Sequence, residues 1–124
     1  MPVQTLGQLG ETLAKNYLET HKLQIISTNY HSPYGEIDII AKEGECFVFV
    51  EVKARSNVKR GTPLEAVTPR KRERILLTAQ HWLSTHLMGK EEPHLRFDVL
   101  SIVMGSDGLS TITHHKSIFG EDTL

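Results

Sequence analysis

Blocks of hydrophobic and polar residues along the chain predict two helices and five strands. Apolar residues recur at helical spacing over residues 6–21 and 69–87. Runs rich in β-branched residues, typical of strands, cover residues 23–29, 34–41, 46–55, 95–103 and 109–115. The order α, β, β, β, α, β, β predicts an α/β fold in which helices flank a mixed sheet.

Polar and turn-forming residues mark the predicted ends of these elements. Thr5 is placed to cap the first helix, and Thr68 followed by Pro69 gives the second helix a start signal. A further capping-box pattern occurs at residues 62–65. We expect loops at residues 30–35, 56–61 and 89–94, a turn at residues 105–108 and a tail at residues 116–124.

A β-hairpin is predicted where two apolar runs flank the polar residues 42–45. Its strands nevertheless carry four charged residues, Glu36, Asp38, Glu51 and Lys53. With a two-residue turn at Glu43-Gly44, Glu36 would face Glu51, and Asp38 would lie diagonally across from Glu51 on the same side. A turn one residue longer would move one set of side chains to the other face, so this register is a hypothesis.

Carboxylates brought together in a buried hairpin favour a bound cation, because they repel one another and lose hydration. Mg²⁺ takes one or two carboxylates, with waters and a substrate phosphate completing its shell. Lys53 cannot ligate a metal, but it can hold a water or a phosphate oxygen. Asp38, Glu51 and Lys53 with Mg²⁺ therefore form a set suited to phosphodiester hydrolysis.

Charge is unevenly distributed along the chain, although the net charge is only −1. Residues 53–74 hold eight basic and two acidic residues, which gives +6 locally and leaves −7 elsewhere. This asymmetry predicts a surface for nucleic acid, or else a solvated helix face. The residues assigned to nucleic-acid binding are Arg55, Lys59, Arg60, Arg70, Lys71 and Arg74.

Several short motifs resemble those of known nucleases. Gly35-x-x-Asp38, followed by apolar residues and then Val50-Glu51-Val52-Lys53, resembles the core motif of the PD-(D/E)xK nuclease superfamily. Together with Gly10-Glu11 and residues 96–99, these strings resemble the YraN-like family of small bacterial proteins more closely. That family is similar to archaeal Holliday-junction resolvases, and the likeness covers about residues 7–103. Ile37, rather than Pro, precedes Asp38, as is common in divergent branches.

The resemblance implies a restriction-endonuclease-like fold and a metal-dependent endonuclease that acts on DNA, including branched DNA in recombination or repair. Asp38 and Glu51, helped by the Val52 carbonyl, would then bind Mg²⁺, with Mn²⁺ as an alternative. Lys53 would orient or help to deprotonate the attacking water. Two other functions stay open: a nucleic-acid-binding module without catalysis, and a structural or assembly protein whose apolar strands form a homodimer.

Further polar residues have alternative roles. Glu11 is either a third acidic group of the catalytic site, as in the resolvases, or a surface residue near the start of its helix. Glu36 is assigned only a supporting role. Asp98 is interpreted as a structural partner of Arg96 or of a nearby basic group in preference to a metal ligand, and His114-His115 is a weak metal motif because it lacks a spaced third ligand.

Chain length, cysteine content and the lack of long apolar runs indicate a single-domain protein of a reducing compartment. The 124 residues predict one domain, with its core at about residues 6–115. A single cysteine, Cys46, excludes an internal disulfide and is typical of a reducing compartment. Residues 1–10 lack the features of a signal peptide, and no apolar run approaches the roughly 18 residues of a membrane span. We therefore expect a cytoplasmic protein without membrane contact.

Overall fold

Two helices and five strands occur in the predicted order in the computed structural model, which describes residues 5–56, 67–87 and 93–119. The elements are α1 (Leu6–Thr20), β1 (Gln24–Ser32), β2 (Gly35–Glu43), β3 (Cys46–Arg55), α2 (Pro69–His86), β4 (His94–Met104) and β5 (Ser110–Phe119). No helix in the described part of the chain is long and apolar enough to cross a membrane.

The five strands form one mixed sheet in the order β1-β2-β3-β4-β5. Neighbouring strands are antiparallel except for β3 and β4, which pair in parallel. Parallel neighbours need a crossover connection, and α2 lies in the segment that joins them. This α/β arrangement of a mixed sheet and flanking helices confirms the predicted fold class and is consistent with a restriction-endonuclease-like fold.

Each face of the sheet packs against one helix. On the α2 face, Ile75 and Trp82 pack in a cluster with Phe49 and Phe97. On the α1 face, Ala14 and Leu18 pack with the small and branched residues of the central strands. Trp82 is therefore a core residue.

The ends of both helices follow their capping residues. The Thr5 side chain accepts a hydrogen bond from the Gln8 backbone N–H, and the Gln8 side chain accepts one from the Thr5 N–H in return. Thr68 caps α2 in the predicted position. Gly10 allows α1 to approach β3 closely, because a Cβ there would lie 2.6 Å from the Cβ of Ala54.

Three predicted boundaries are wrong. Residues 30–32 belong to β1 rather than to a loop, and β5 extends to Phe119, so residues 116–119 are not a tail. The hairpin turn is Gly44-Glu45 instead of Glu43-Gly44, because Gly44 has a φ of 60° and a two-residue turn with positive φ at its first position takes Gly there. The predicted capping box at residues 62–65 and most of the loops at 56–61 and 89–94 lie outside the described residues.

Candidate functional site

The shifted turn changes how the two hairpin strands meet at the site. The ladder between β2 and β3 runs from the Glu43–Cys46 pair to the Ile39–Val50 pair. Continuing it by one residue sets Asp38 opposite Glu51, so the predicted pairing of Glu36 with Glu51 is wrong. Because the register moves by two residues, the predicted proximity of Asp38 and Glu51 is retained.

Asp38 lies where the ladder ends and its side chain replaces a backbone partner. The backbone N–H of Val52 donates a hydrogen bond of 2.8 Å to Asp38 Oδ2. Burial, and then the charge of Glu51, raise the pKa of Asp38 from 3.8 to about 6. The Val52 hydrogen bond and the charge of Lys53 only partly offset this increase. Asp38 is therefore a carboxylate whose ionised form is poorly compensated in the protein without a bound cation.

Glu51 is shared by two lysines from different elements. Lys53 Nζ, from the same strand, lies 3.4 Å from Glu51 Oε1, and Lys71 Nζ, from α2, lies 2.7 Å from the same oxygen. Burial and the neighbouring Lys71 lower the pKa of Lys53. Burial also opposes the charge of Lys71, but its hydrogen bonds to Glu51 and Lys53 outweigh this and raise its pKa. The two ammonium groups therefore differ in how readily they release a proton.

An open cleft of about 520 Å³ gives access to this group of charges. It lies between the first turns of α1, the middle of β1 and β2 and the last residues of β3. Its lining residues include Glu11, Asn29, Asp38, Val52 and Lys53. The Asn29 side chain donates a hydrogen bond of 2.7 Å to Glu11 Oε1. Glu11 thus faces the same cleft as Asp38, which fits its interpretation as a site residue better than a purely surface role.

Carboxylate oxygens at this position suit a hard divalent cation. Asp38 and Glu51 are close enough to raise the pKa of Asp38, and a positive charge between them would relieve that repulsion. Among the described residues, no group of three or more His, Cys, Asp or Glu side chains is arranged to hold a metal. A cation here would therefore complete its shell with water, backbone oxygen or substrate, as Mg²⁺ commonly does.

Comparison with known proteins identifies the family. Residues 10–102 match the model described as "Uncharacterised protein family UPF0102". The chain belongs to UPF0102. This is the YraN-like family that the motifs resemble, and the matched span contains Glu11, Asp38, Glu51 and Lys53.

Several UPF0102 proteins are similar over most of their length. One from Rhodococcus jostii is 43% identical over 114 residues, which cover 92% of this chain and 95% of the relative. One from Desulfitobacterium hafniense is 44% identical over 99 residues, covering 80% and 81%. One from Chlorobium limicola is 40% identical over 124 residues, covering 96% and 95%.

Two further strand acids of this UPF0102 chain, Glu36 and Asp98, have partners of their own. Glu36 pairs with His31 at 3.3 Å on an exposed surface. Asp98 is fully buried and accepts hydrogen bonds from Arg96, His114 and the Ser117 backbone N–H. Burial would raise the pKa of Asp98, but these hydrogen bonds outweigh it and lower the pKa. The predicted pairing of Asp98 with Arg96 is confirmed, and His114 bonds to Asp98.

The basic segment divides between the site and the surface. Lys71 contacts Glu51, whereas Arg70 and Arg74 lie exposed on α2. Arg55 is half-buried at the end of β3, and Lys59 and Arg60 lie outside the described residues.

Sequence reasoning missed two features of the site. The charge pattern indicates only a nucleic-acid contact for Lys71 and gives no sign of its contact with Glu51. That contact depends on where α2 crosses the sheet. Asn29 was not assigned any role. The sequence clue to a role for Asn29 is its position in a predicted strand, because Asn is depleted from strands. In the structure Asn29 has a positive φ of 52°.

Proposed function

We propose that this UPF0102 protein is a metal-dependent endonuclease that hydrolyses phosphodiester bonds in DNA. The observation that carries the proposal is the state of Asp38, a partly buried acid with a pKa of about 6 that stands beside Glu51 and faces an open cleft. Perturbed carboxylates in clefts are candidates for functional sites, because structural acids are normally provided with compensating partners. Asp98 in the same sheet has such partners.

The residues of the cleft fit a bound Mg²⁺ or Mn²⁺. Asp38 and Glu51, with the backbone carbonyl of Val52, would hold the ion. When bound, the metal would polarise the phosphate and lower the pKa of a water molecule. Glu11 faces the same cleft, where it would bind an outer-shell water or the ion.

Lys53 is assigned to the attacking water. Its lowered pKa allows Nζ to exchange a proton more readily than an ordinary lysine does. Its ammonium form would also offset charge that develops on the phosphate in the transition state. Lys71 would keep Glu51 in position and compensated, since its Nζ lies closer to Glu51 than that of Lys53 does.

DNA is proposed as the substrate because basic residues adjoin the acidic site. Arg70 and Arg74 extend from Lys71 along the exposed side of α2, where phosphate contacts would hold the strand whatever its sequence. The similarity of the family to junction resolvases makes branched DNA one of the structures to test.

A nucleic-acid-binding module without catalysis is the second candidate. It is favoured by the contact between Lys71 and Glu51, which neutralises one proposed metal ligand. It is also favoured because no three His, Cys, Asp or Glu side chains of the described residues are arranged together to hold a metal. This alternative predicts DNA binding without cleavage.

A cleavage screen separates the two candidates. Linear, nicked, flapped and four-way DNA would be incubated with the protein in Mg²⁺ or Mn²⁺, and with EDTA as a control. We expect at least one of these DNA substrates to be cleaved in Mg²⁺ or Mn²⁺ and to stay intact in EDTA. Binding without cleavage of any substrate under either metal would refute the nuclease and leave the binding module.

Lys53→Ala tests the mechanism within the same screen. Lys71 still pairs with Glu51 in this variant, so the melting temperature and DNA affinity should stay close to those of wild type. Single-turnover cleavage should fall by about 10²-fold or more, as for loss of one preorganised charge-stabilising group. Lys53→Arg should not restore it, because a planar guanidinium cannot place a compact ammonium at the same water. Lys116→Ala, at an exposed site on β5, is the matched control.

A further inference from the structure

The turn between β1 and β2 is fixed onto the side of α2. The Ser32 hydroxyl lies 3.3 Å from Thr78 Oγ1 of α2 and donates to the Gly35 carbonyl at 3.2 Å. The Gly35 backbone is so close to α2 that a Cβ would lie 3.5 Å from Thr78 Oγ1 and 3.7 Å from Arg74 Cβ. The turn therefore has a defined position relative to the helix that carries the basic residues.

Tyr34, at the tip of this turn, is an exposed aromatic residue with a supported ring. Its side chain is large and apolar, yet the residue is 49% exposed. Its ring centroid lies 6.2 Å from that of His81, with an interplanar angle of 65°. His81 is held in turn by Tyr30, whose hydroxyl is 2.6 Å from His81 Nδ1. Tyr34 thus presents ring surface to solvent and lies beside a fixed neighbouring ring.

One side of α2, which carries two arginines, extends from near the Lys71–Glu51 contact toward Tyr34. Arg70, Arg74, Leu77 and His81 recur at spacings of four, three and four residues, which places them on one side of the helix. Lys71 lies beside Arg70 and contacts Glu51. Among the described residues, no acid forms an ion pair with Arg70 or Arg74. Asp38 lies three residue steps along β2 from Gly35, a distance of about 10 Å.

We propose that Tyr34, supported by His81, is a stacking site for an unpaired base of the DNA substrate, with Arg70 and Arg74 holding the adjacent phosphates. Positive charge alongside an exposed aromatic ring is how proteins bind single strands. In the interior of a duplex both faces of each base are already stacked, so a ring on a turn tip meets a free face only where a base is unpaired. The substrate class is therefore DNA with a single-stranded segment near the cleaved bond.

This inference rests on the proposed function for its ligand, DNA, but its test does not depend on cleavage. Wild type and variants would be titrated in EDTA into a single-stranded oligothymidine that carries one 2-aminopurine, and into a blunt duplex. Anisotropy reports affinity, and quenching of 2-aminopurine reports stacking on a ring. The variants are Tyr34→Ala, Tyr34→Leu and Tyr34→Phe, with Leu109→Ala as a control at another exposed apolar residue.

Loss of the ring should weaken single-strand binding selectively. For Tyr34→Ala and Tyr34→Leu we expect between about 5-fold and 150-fold lower affinity, the range for loss of one base stack, together with loss of quenching. Tyr34→Phe should keep both signals, and affinity for the blunt duplex should not change. The Leu variant fills similar space without a ring, so it separates stacking from support of the turn.

Other outcomes distinguish failure of this inference from failure of the nuclease. Unchanged single-strand affinity and quenching in Tyr34→Ala, or equal losses on single strand and duplex, would overturn the stacking site. If wild type cleaved DNA in Mg²⁺ in that case, the nuclease would stand without it. Tyr34-dependent quenching without cleavage would support the stacking site and refute the nuclease. Binding to neither DNA by wild type would overturn both.

Discussion

Asp38→Asn should stabilise the metal-free protein at pH 7.5. The pKa of Asp38 is raised from 3.8 to about 6, which corresponds to a cost of about 3 kcal/mol for the ionised form in the folded state. Because the residue is only partly buried, solvent screening reduces the expected gain to about 1–3 kcal/mol. The amide oxygen of Asn can still accept the hydrogen bond from the Val52 N–H.

The stability that Asp38→Asn gains over wild type should increase with pH. The folded state binds a proton at Asp38 more tightly than the unfolded state does, so the contribution of Asp38 to wild-type stability decreases as pH rises from about 3.8 through 6. Asn imitates the protonated acid and lacks this decrease. The advantage of the variant should therefore be largest above pH 6 and should shrink as the pH is lowered toward 4.

Urea unfolding in EDTA at pH 7.5 and at pH 4.5 measures both effects. Adding Mn²⁺ at pH 7.5 should then stabilise wild type and leave Asp38→Asn nearly unchanged, since the variant lacks one carboxylate of the proposed metal site. If Asp38→Asn were less stable than wild type at pH 7.5 without metal, the reasoning from an uncompensated carboxylate would be wrong. Equal stabilisation of both proteins by Mn²⁺ would remove Asp38 from the metal site.

Further variants test the buried Asp98 cluster, the contact of α1 with β3 and the basic face of α2. Asp98→Asn should cost about 1.5–3 kcal/mol by urea unfolding at pH 7.5, because Arg96 and His114 lose a buried charged hydrogen-bond partner while Arg96 keeps its ion pair with Glu43; a stability gain would contradict this. Gly10→Val should lower the free energy of unfolding by about 1–3 kcal/mol, because its Cβ would overlap Ala54 and push α1 from β3. Gly108→Ala, at an open turn with positive φ, shows the cost of backbone strain alone. The double variant Arg70→Ala and Arg74→Ala should weaken binding to all DNA sequences and flatten the dependence of affinity on salt, and an unchanged slope in anisotropy titrations would indicate a solvated helix face.

Local sequence patterns predicted the elements of the fold well, because helices and strands of this length are specified by neighbouring residues. The 3.6-residue spacing of apolar residues and the capping residues Thr5 and Thr68 set α1 and α2 to within one residue at each end. Alternation and β-branched residues located all five strands. Boundaries were wrong where a turn depended on backbone conformation, as at Gly44, or on support from a distant helix, as at residues 30–35.

The site was predicted less completely, because its contacts join residues that are far apart in the chain. The motif in β2 and β3 led to Asp38, Glu51 and Lys53, which the fold brings together. The contact of Lys71 with Glu51 depends on the path of α2 across the sheet, and the hydrogen bond between Asn29 and Glu11 depends on how α1 packs against β1. No local pattern encodes either contact.

Asp38 and Asp98 show why residue type and strand position alone cannot assign a role to an acid. Both are strand aspartates beside apolar residues, and burial acts to raise the pKa of each. Around Asp98, a guanidinium, an imidazole and a backbone N–H compensate the charge, so the acid stabilises the packing of β4 against β5. Around Asp38, one backbone N–H is offset by the neighbouring charge of Glu51. Ionisation at Asp38 therefore costs stability unless a cation is supplied from outside the chain. Under the proposed function, the open cleft beside Asp38 would give such a cation and a phosphate access.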